Sequence, residues 1–523
     1  MVIKNYSQQD TSILKGFAIL CICFHNFFHY LAPSTGENEF IFSVNHVHNF
    51  FSQLSETPGN FINTIFSFLG HYGVQIFIFI SGYGLAMSML KNNKQWLSFV
   101  IDRLKKLYPL LLTAFIFFIL YTVIMRERFP STDDYKGMGY KLIFMHTLLP
   151  KQGTSVNGPW WFFGLIFQLY LIFPLLFNMM KKYKMKAFAA ICVISYIWIF
   201  ISQYKFQDID VFLLQNFPGH LPEFCLGMLL ALNKDLKINN IFFIVALTLF
   251  CLGNFYKIFF PFTFLSITVV FVFAYQCMNN IPIRKRRLKE FLIHMGNISM
   301  SLFAIHGFLR APFIELAYKN LNTPLGHIYA ALLFFLSAYL LSFAATQLYE
   351  FLLSLFNRIK LPNEENRVVR LTSRSLQMAL LVFSCYILYH FVNQSYFTKK
   401  EQIAKTELIS ENLRVERDTE YATFAVVELD KRYKAFEIEG SMDIKNLNPK
   451  AKIPPIIVEV KGILWDKINV KGNYDDFGRF NFKYDYYAPF IRSLEDKDLK
   501  IYFWNTSKSN IAVENIDISV FAN

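Results

Sequence analysis

Two histidines lie inside the first hydrophobic segment of the chain, residues 13–31, where lipid normally excludes ionisable groups. His25 and His29 are four residues apart, so an α-helix places both on one face, where they can serve one site. Lys15 stands at the entrance to the segment, ~15 Å of helix before His25. Ionisable groups inside a membrane are costly and usually functional. The spacing therefore predicts proton-transfer chemistry within the bilayer, with a cationic group near its edge.

The overall composition is typical of an integral membrane protein. The chain has 523 residues, is 54% hydrophobic and has a mean hydropathy of +0.31, too apolar for a soluble protein of this length. The net charge of +14 does not indicate nucleic-acid binding, because no basic domain, zinc-ligand spacing or RNA-binding motif accompanies it. The seven cysteines lie in or beside apolar segments without metal-ligand spacing, so we expect no bound metal.

Hydrophobic stretches that could cross a membrane recur along the first three quarters of the chain. They are residues 11–31, 66–90, 107–125, 159–180, 187–203, 217–233, 240–255, 258–278, 291–314, 328–356 and 375–392. With a cytoplasmic N-terminus, most Lys and Arg of the connecting loops face the cytoplasm, as the positive-inside rule requires. The expected fold is mainly α, a polytopic helical membrane bundle of about 11 transmembrane helices. The odd number places the remaining C-terminal residues outside the cytoplasm.

The sequence pattern changes after residue 392. Residues 393–417 are rich in Lys and Glu, with apolar residues at roughly helical spacing, which predicts a helical stalk. Short alternating runs rich in Val, Ile, Phe and Tyr follow, which predicts an extracytoplasmic β-sandwich-like domain over 418–523. The runs are 422–429, 435–444, 456–464, 479–487, 499–505 and 511–521. The expected domains are thus a transmembrane domain (1–392), the stalk (393–417) and the β-rich domain (418–523).

Several motifs place polar residues within apolar segments, and their order is characteristic. They are Lys15 to His25, Ser81-Gly82-Tyr83-Gly84, Arg103 to Tyr108-Pro109, Trp160-Trp161-Phe162, Leu221 to Gly227 and Gly296 to His306. Together they resemble the membrane-bound acyltransferase family 3 over about residues 10–356. Lys15 departs from the family pattern, which usually has Arg at that position. The resemblance implies a membrane O-acyltransferase of surface glycans and other exported acceptors.

The implied reaction moves an acyl group, acetyl being expected, from cytoplasmic acyl-coenzyme A to a hydroxyl of an exported or surface glycan. A neutral histidine can take the hydroxyl proton near pH 7. His25 is the expected base, and His29 is the alternative. His306 is expected at the same depth as His25, and Lys15 is expected to act with them. Acyl-coenzyme A is a substrate here, so we expect no tightly bound cofactor.

Two further groups of residues are assigned to the two substrates. Basic side chains at a cytoplasmic mouth can pair with the phosphates of the donor. The expected donor-binding residues are Lys15, Arg103, Lys106, Ser81 and Tyr108. The expected acceptor-side residues, near the outer ends of their segments, are His29, Glu37, Glu39, His71 and Trp160.

The resemblance implies a location in the bacterial inner membrane, with the N-terminus in the cytoplasm and the β-rich domain in the periplasm. The expected partners are acyl-coenzyme A, a surface or exported glycan, membrane lipid, and glycan synthesis or export machinery, but no nucleic acid. Two alternatives remain. A glycan transporter or flippase would use the same polar intramembrane residues, and an inactive family member would only bind its ligand.

Overall fold

The computed structural model describes residues 2–3, 6–31, 34–149, 151–205, 213–233, 236–237, 240–279, 286–358, 401–402, 406–408, 412–429, 435–446, 453–460, 464–468, 479–487, 497–505 and 510–522. The chain forms two compact units, Met1–Leu380 and Leu381–Asn523. The first is mainly helical and the second is built of strands. Each unit has its own hydrophobic core.

Helix α1, Gln8–Phe28, carries the polar motif that opens the chain. It begins at a capping box, in which the Ser7 hydroxyl accepts a hydrogen bond from the Asp10 N–H and the Asp10 carboxylate accepts one from the Ser7 N–H. These bonds satisfy main-chain donors that a helix start leaves free. At the other end, the His29 N–H donates to the His25 carbonyl oxygen at 2.8 Å, so the helical path includes both histidines.

Thirteen more helices complete the described part of the first unit. They are α2 (Val44–Glu56), α3 (Phe61–Leu69), α4 (Gly73–Lys91), α5 (Trp96–Met125), α6 (Thr132–Leu142), α7 (Trp161–Tyr183), α8 (Met185–Lys205), α9 (Leu221–Leu232), α10 (Asn240–Phe255), α11 (Thr263–Asn279), α12 (Arg286–Leu309), α13 (Ala311–Asn320) and α14 (Pro324–Asn357). Short 3-10 turns precede several of them. The two-residue strands β1 (Val2–Ile3) and β2 (Leu236–Lys237) pair antiparallel.

Within the described residues, seven helical segments are long and apolar enough to cross a membrane. They are Gln8–Phe28, Pro58–Lys91, Trp96–Met125, Gly158–Tyr183, Lys257–Cys277, Arg286–Leu309 and Pro324–Asn357. The protein is therefore a multi-pass membrane protein, but the expected eleven spans are not confirmed. Three expected spans, 187–203, 217–233 and 240–255, correspond to the apolar helical stretches Met185–Phe200, Phe217–Leu232 and Asn240–Phe255, which have 10–17 residues, fewer than the ~20 that a bilayer typically requires. The expected span at 375–392 lies outside the described residues.

Glycines bring α1 and α12 into main-chain contact. A Cβ atom on Gly16 would lie 2.0 Å from the Leu292 carbonyl oxygen, and one on Gly296 would lie 1.9 Å from that of Ser12. No other residue fits at this distance, and small residues are the usual means of close helix packing in membranes. The Lys15-Gly16 and Gly296-Asn297 pairs therefore hold together the two helices that carry His25 and His306.

Helices α4 and α9 pack in the same way. A Cβ atom on Gly82 would lie 2.0 Å from a main-chain oxygen of α9, and one on Gly227 would lie 2.1 Å from a main-chain oxygen of α4. The Tyr83 hydroxyl donates to the Tyr6 carbonyl oxygen at 3.0 Å. Gly82 thus fixes helix packing, and the half-buried Ser81 does not line the cavity described below.

The second unit contains two five-stranded sheets, and all of its described strand pairs are antiparallel. The strands are β3 (Glu401–Gln402), β4 (Thr406–Leu408), β5 (Leu413–Val415), β6 (Tyr421–Leu429), β7 (Ala435–Asn446), β8 (Ile456–Val460), β9 (Leu464–Ile468), β10 (Phe480–Tyr487), β11 (Lys497–Trp504) and β12 (Ile511–Ala522). One sheet has the order β10-β7-β12-β3, with β5 also on β12, and the other β4-β6-β11-β8-β9. The expected β-rich region is confirmed, and the sandwich arrangement stays a prediction.

The prediction of a helical stalk over 393–417 is wrong for the residues described there. Instead of a helix, this region contributes β3, β4 and β5. Strand β4 pairs with β6, and β5 pairs with β12. Main-chain hydrogen bonds to these longer strands outweigh the helix preference of a Lys- and Glu-rich segment, because local propensity yields to tertiary pairing.

Candidate active site

A cavity of about 490 Å³ lies at the C-terminal end of α1. Five residues that the sequence singled out line it: His25, His29, Glu37, Glu39 and His71. The two glutamates come from the loop between α1 and α2, and His71 from the turn between α3 and α4. The rest of the wall includes residues 156–159, just before α7, and the end of α12. The cavity therefore joins segments that are far apart in the sequence.

His25 is buried in the cavity wall and held in one orientation. Its Nδ1 lies 3.1 Å from the carbonyl oxygen of Phe66 in α3. A carbonyl oxygen can only accept, so Nδ1 carries the proton and Nε2 keeps its lone pair. A neutral imidazole with a free Nε2 can take a proton from a hydroxyl group in the cavity.

A glycine sets the position of this histidine. A Cβ atom on Gly70 would lie 2.6 Å from the His25 Cβ and 2.8 Å from the Cys21 carbonyl oxygen. Only glycine therefore lets the turn between α3 and α4 approach α1 this closely. His71 follows directly, and its ring centroid lies 5.6 Å from that of His25. Among the described residues, neither ring nitrogen of His71 has a hydrogen-bond partner of good geometry, although the residue is buried.

His29 contacts a carboxylate. Its Nδ1 lies 2.6 Å from Oε2 of Glu37, although neither atom is in a well-aligned hydrogen bond. Burial raises the pKa of Glu37, but the His29 contact and the electrostatic interactions with His25, His29 and His71 outweigh burial and lower the pKa to about 2. Glu37 is therefore ionised at neutral pH. The pair can accept a hydrogen bond and orient a hydroxyl group beside His25.

Glu39 lines the same cavity but has the opposite protonation preference. Burial raises the pKa of its carboxyl group well above the ordinary value, and the negative charge of Glu37 raises it further. When two carboxyl groups share one site, the pKa of one is commonly raised while the other stays ionised. Glu39 therefore favours the neutral form, in which it can donate a hydrogen bond to a polar ligand.

The ligand atoms of His25, His29 and Glu37 lie within 4.8 Å of one another. Two imidazoles and a carboxylate are a ligand set that zinc accepts, at bond lengths of ~2.0–2.2 Å. The hydrogen bond from His25 to a carbonyl oxygen is also one that metal-ligating histidines often make. The cluster thus has suitable donors for a metal ion, and the expected absence of a metal stays a prediction.

The basic residues expected to bind the donor surround an acidic residue that the sequence analysis missed. Asp102 Oδ2 lies 2.7 Å from Nη2 of Arg103, 3.4 Å from Nζ of Lys94 and 3.9 Å from Nζ of Lys106. These residues belong to the first turns of α5 or to the segment just before it, and none lines the cavity. The cluster keeps a net positive charge because three cations share one carboxylate.

The other two donor-side residues also lie away from the cavity. Lys15 is half-buried near the N-terminal end of α1, whereas the cavity is at the C-terminal end. Tyr108 donates its hydroxyl hydrogen to the Leu142 carbonyl oxygen at 3.0 Å, which joins α5 to the end of α6. The structure therefore does not bring the expected donor residues and the histidines into one described cavity.

Trp160 and His306 are buried and do not line the cavity. Trp160 is fully buried in the core, where its Nε1 donates to the Ala304 carbonyl oxygen at 2.9 Å. The next residue, Trp161, lines the cavity instead, because the turn that starts α7 directs neighbouring side chains to different sides. His306 is also fully buried, with Nδ1 bonded to carbonyl oxygens of its own helix, and does not line the cavity.

Sequence reasoning also missed Arg310, which follows α12 and lines the cavity. Its guanidinium carbon lies 4.0 Å from the ring centroid of Tyr30. The signal in the sequence is a single arginine four residues after His306, one helical turn further along.

A buried ion pair, His220 and Glu223 at 2.7 Å, lies near Trp161. The ring centroid of His220 is 6.0 Å from that of Trp161.

The fold and this cavity define a multi-pass membrane protein with a histidine-lined site. A family model described as an acyltransferase domain matches residues 11–350, so the chain belongs to acyltransferase family 3. It is also similar to a regulator of hypoxia-inducible factor 1 from Caenorhabditis elegans, with 30% identity over 128 residues, 22% of this chain. The matched stretch spans 25% of that relative's length. No solved structure matches the chain.

Proposed function

We propose that this acyltransferase moves an acyl group, acetyl being expected, from cytoplasmic acyl-coenzyme A to a hydroxyl group of an exported or surface glycan. Family membership supports acyl transfer as the reaction class. The fixed orientation of His25 supports this residue as the base. Its Nδ1 is bonded to the Phe66 carbonyl oxygen, and the residue lines the cavity. We place the reaction in the bacterial inner membrane, with the N-terminus in the cytoplasm.

The proposed step begins when Nε2 of His25 takes the proton of the acceptor hydroxyl. The acceptor oxygen attacks the carbonyl carbon of the thioester, and the carbon–sulfur bond then breaks. The leaving thiolate takes the proton back from His25, which yields an ester and free coenzyme A. General base catalysis of this kind contributes about 10²–10⁴-fold. The Glu37 carboxylate and His29 orient the acceptor hydroxyl.

An apolar gap next to the cavity supports a path for the acyl group. It is lined by Ile22, Val74, Phe77, Phe162, Met300 and Phe303. Four of these residues, Ile22, Val74, Phe162 and Phe303, also line the cavity. The gap has no room for a water molecule, so its side chains must move apart to admit even an acetyl group. We propose that the donor phosphates bind near Lys15 and the Arg103 and Lys106 cluster, on the cytoplasmic side.

Release of free thiol from acetyl-coenzyme A by the purified protein tests this function, with extracted surface polysaccharide as acceptor. His25→Ala is expected to lower acceptor-dependent release by about 10²–10⁴-fold, since it removes the base. His48→Ala is the matched control, because His48 is exposed on α2. If only His29→Ala lost acceptor-dependent thiol release, His29 and not His25 would be the base. No release by the wild type with any acceptor or acyl donor would contradict the proposal and favour a transporter.

A further inference from the structure

Arg310 places a positive charge in the cavity wall without a counter-charge from the part of the chain that the structure describes. Its Nη1 is buried and has no hydrogen-bond partner. Among the residues that the structure describes, no carboxylate lies within ion-pair distance of this guanidinium group. Arg310 as a whole is half-buried, and partial removal of a cation from water without a partner is unfavourable, a cost that is offset when an anion binds to it.

The guanidinium group is fixed at the same end of α1 as His29. It lies over the ring of Tyr30, at 4.0 Å from the centroid, and the Tyr30 ring lies 5.0 Å from that of His29. The Tyr318 hydroxyl donates to the Tyr30 carbonyl oxygen at 3.3 Å, which holds this residue in place. Cation–π contact orients an arginine without neutralising its charge.

The acidic residues that line the cavity are already engaged or uncharged. Glu37 contacts His29. Asp134 forms the capping box at the start of α6, where its Oδ2 accepts from the Ser131 N–H at 2.9 Å. Glu39 favours its neutral form because of burial and the nearby charge of Glu37. A second arginine, Arg126, also lines the cavity, so the two arginines balance the carboxylates of Glu37 and Asp134, and Arg310 stays the cation without a carboxylate at ion-pair distance among the described residues.

We propose that Arg310 binds a carboxylate or phosphate group of the acceptor, so that the preferred acceptors are acidic saccharides. A guanidinium group presents two parallel N–H donors that match either oxyanion. The phosphates of the donor are not the expected ligand, because their proposed site near Lys15 is at the opposite end of α1. Calling the ligand an acceptor rests on the proposed function, whereas the binding of an acidic saccharide can be measured without any reaction.

Equilibrium binding without an acyl donor tests the inference. The probes are a uronate oligosaccharide, the same oligosaccharide after reduction of its carboxyl groups, and a phosphorylated neutral oligosaccharide. The protein is held in nanodiscs of phosphatidylcholine. The wild type is expected to bind an acidic probe about 10-fold or more tightly than the reduced one, as charged hydrogen bonds allow. The tighter of the two acidic probes identifies the group.

Arg310→Gln is expected to remove this preference, and Arg310→Lys to retain only part of it. Arg128→Gln is the matched control, because Arg128 is exposed and does not line the cavity. Loss of the preference in Arg126→Gln but not in Arg310→Gln would overturn the assignment. Loss of the preference by the wild-type protein in nanodiscs that contain phosphatidylglycerol would also overturn the assignment, since a lipid headgroup would then be the ligand. Arg310→Lys keeps the test decisive if Arg310→Gln does not fold.

Turnover separates this inference from the proposed function. Arg310→Gln is expected to lower the ratio of kcat/KM for the uronate acceptor to kcat/KM for the reduced acceptor. An equal loss on both acceptors would mean that the guanidinium acts on the reacting carbonyl group, which would overturn the inference. A binding preference without thiol release would refute only the proposed function. Equal binding of all three probes by the wild type would refute only the role of Arg310.

Discussion

The neighbours of each histidine, more than its residue type, give it a distinct role. His25 donates from Nδ1 to a main-chain oxygen and keeps Nε2 free, as a base requires. His29, four residues on, contacts the ionised Glu37 at 2.6 Å. Within the described residues, His306 bonds only to carbonyl oxygens of its own helix. Three histidines in apolar segments therefore have three different environments, and one of these suits proton abstraction.

Glu37→Gln removes the charge of the carboxylate while nearly preserving its shape. We expect the rate of acyl transfer to fall about 10–100-fold, since a charged hydrogen bond contributes ~1.5–3 kcal/mol. Thiol release in the presence of acceptor measures the effect. Glu56→Gln, at an exposed glutamate on α2, is the control. An unchanged rate in Glu37→Gln would show that the carboxylate does not orient the acceptor.

The burial of Lys141 predicts that the free energy of unfolding depends on pH. It is fully buried on α6, its Nζ donates to the Ser155 hydroxyl at 2.8 Å, and burial lowers its pKa from 10.5 to about 7. Between these two values the unfolded state binds the extra proton, so the free energy of unfolding rises with pH. Lys141→Met should flatten this rise, as measured by thermal unfolding in detergent from pH 6 to 10. Equal pH dependence of unfolding in the wild type and Lys141→Met would contradict the lowered pKa of Lys141.

At the scale of elements, glycines decide which helices come close enough to build the cavity. Gly16 and Gly296 allow contact between α1 and α12, and Gly82 and Gly227 allow contact between α4 and α9. Gly70 allows the turn before α4 to reach His25. These contacts replace the hydrophobic driving force that is weak between helices in lipid.

Gly70→Ala tests the link between helix approach and His25. The new Cβ would lie 2.6 Å from the His25 Cβ, so either the turn or the histidine must move. We expect a loss of about 1–3 kcal/mol in stability, as for other overpacked sites, and at least ~10-fold in transfer rate, because small displacements of catalytic groups are costly. Gly84→Ala is the control, since no atom lies within 4 Å of its added Cβ. Equal rates in the two variants would contradict the role of Gly70.

At the scale of the whole molecule, the two units are stabilised separately. The helical unit contains the cavity and its own apolar core. The second unit has a core of buried residues from both of its sheets. Strands β3, β4 and β5 belong to these sheets, so the structural boundary of the second unit lies before residue 401 and not at the expected residue 418.

Deletion of residues 401–523 should therefore leave a folded helical unit that still binds acetyl-coenzyme A, while glycan acylation weakens. Deletion of 418–523 should leave a protein that aggregates more, because β4 and β5 lose their partner strands and unpaired strands promote aggregation. Size-exclusion chromatography and donor binding compare the two truncations. Loss of donor binding in the 401–523 deletion would show that the second unit takes part in donor recognition.

The sequence by itself determined the features that depend on local periodicity. Apolar runs identify the membrane helices, a spacing of four residues puts His25 and His29 on one face, and strict alternation identifies the strands after residue 420. Only the tertiary structure decided which side chains meet. Glu37, His71 and Arg310 reach one cavity, Trp161 lines it in place of Trp160, and the expected stalk forms strands. These outcomes depend on contacts between distant segments, which no short-range pattern encodes.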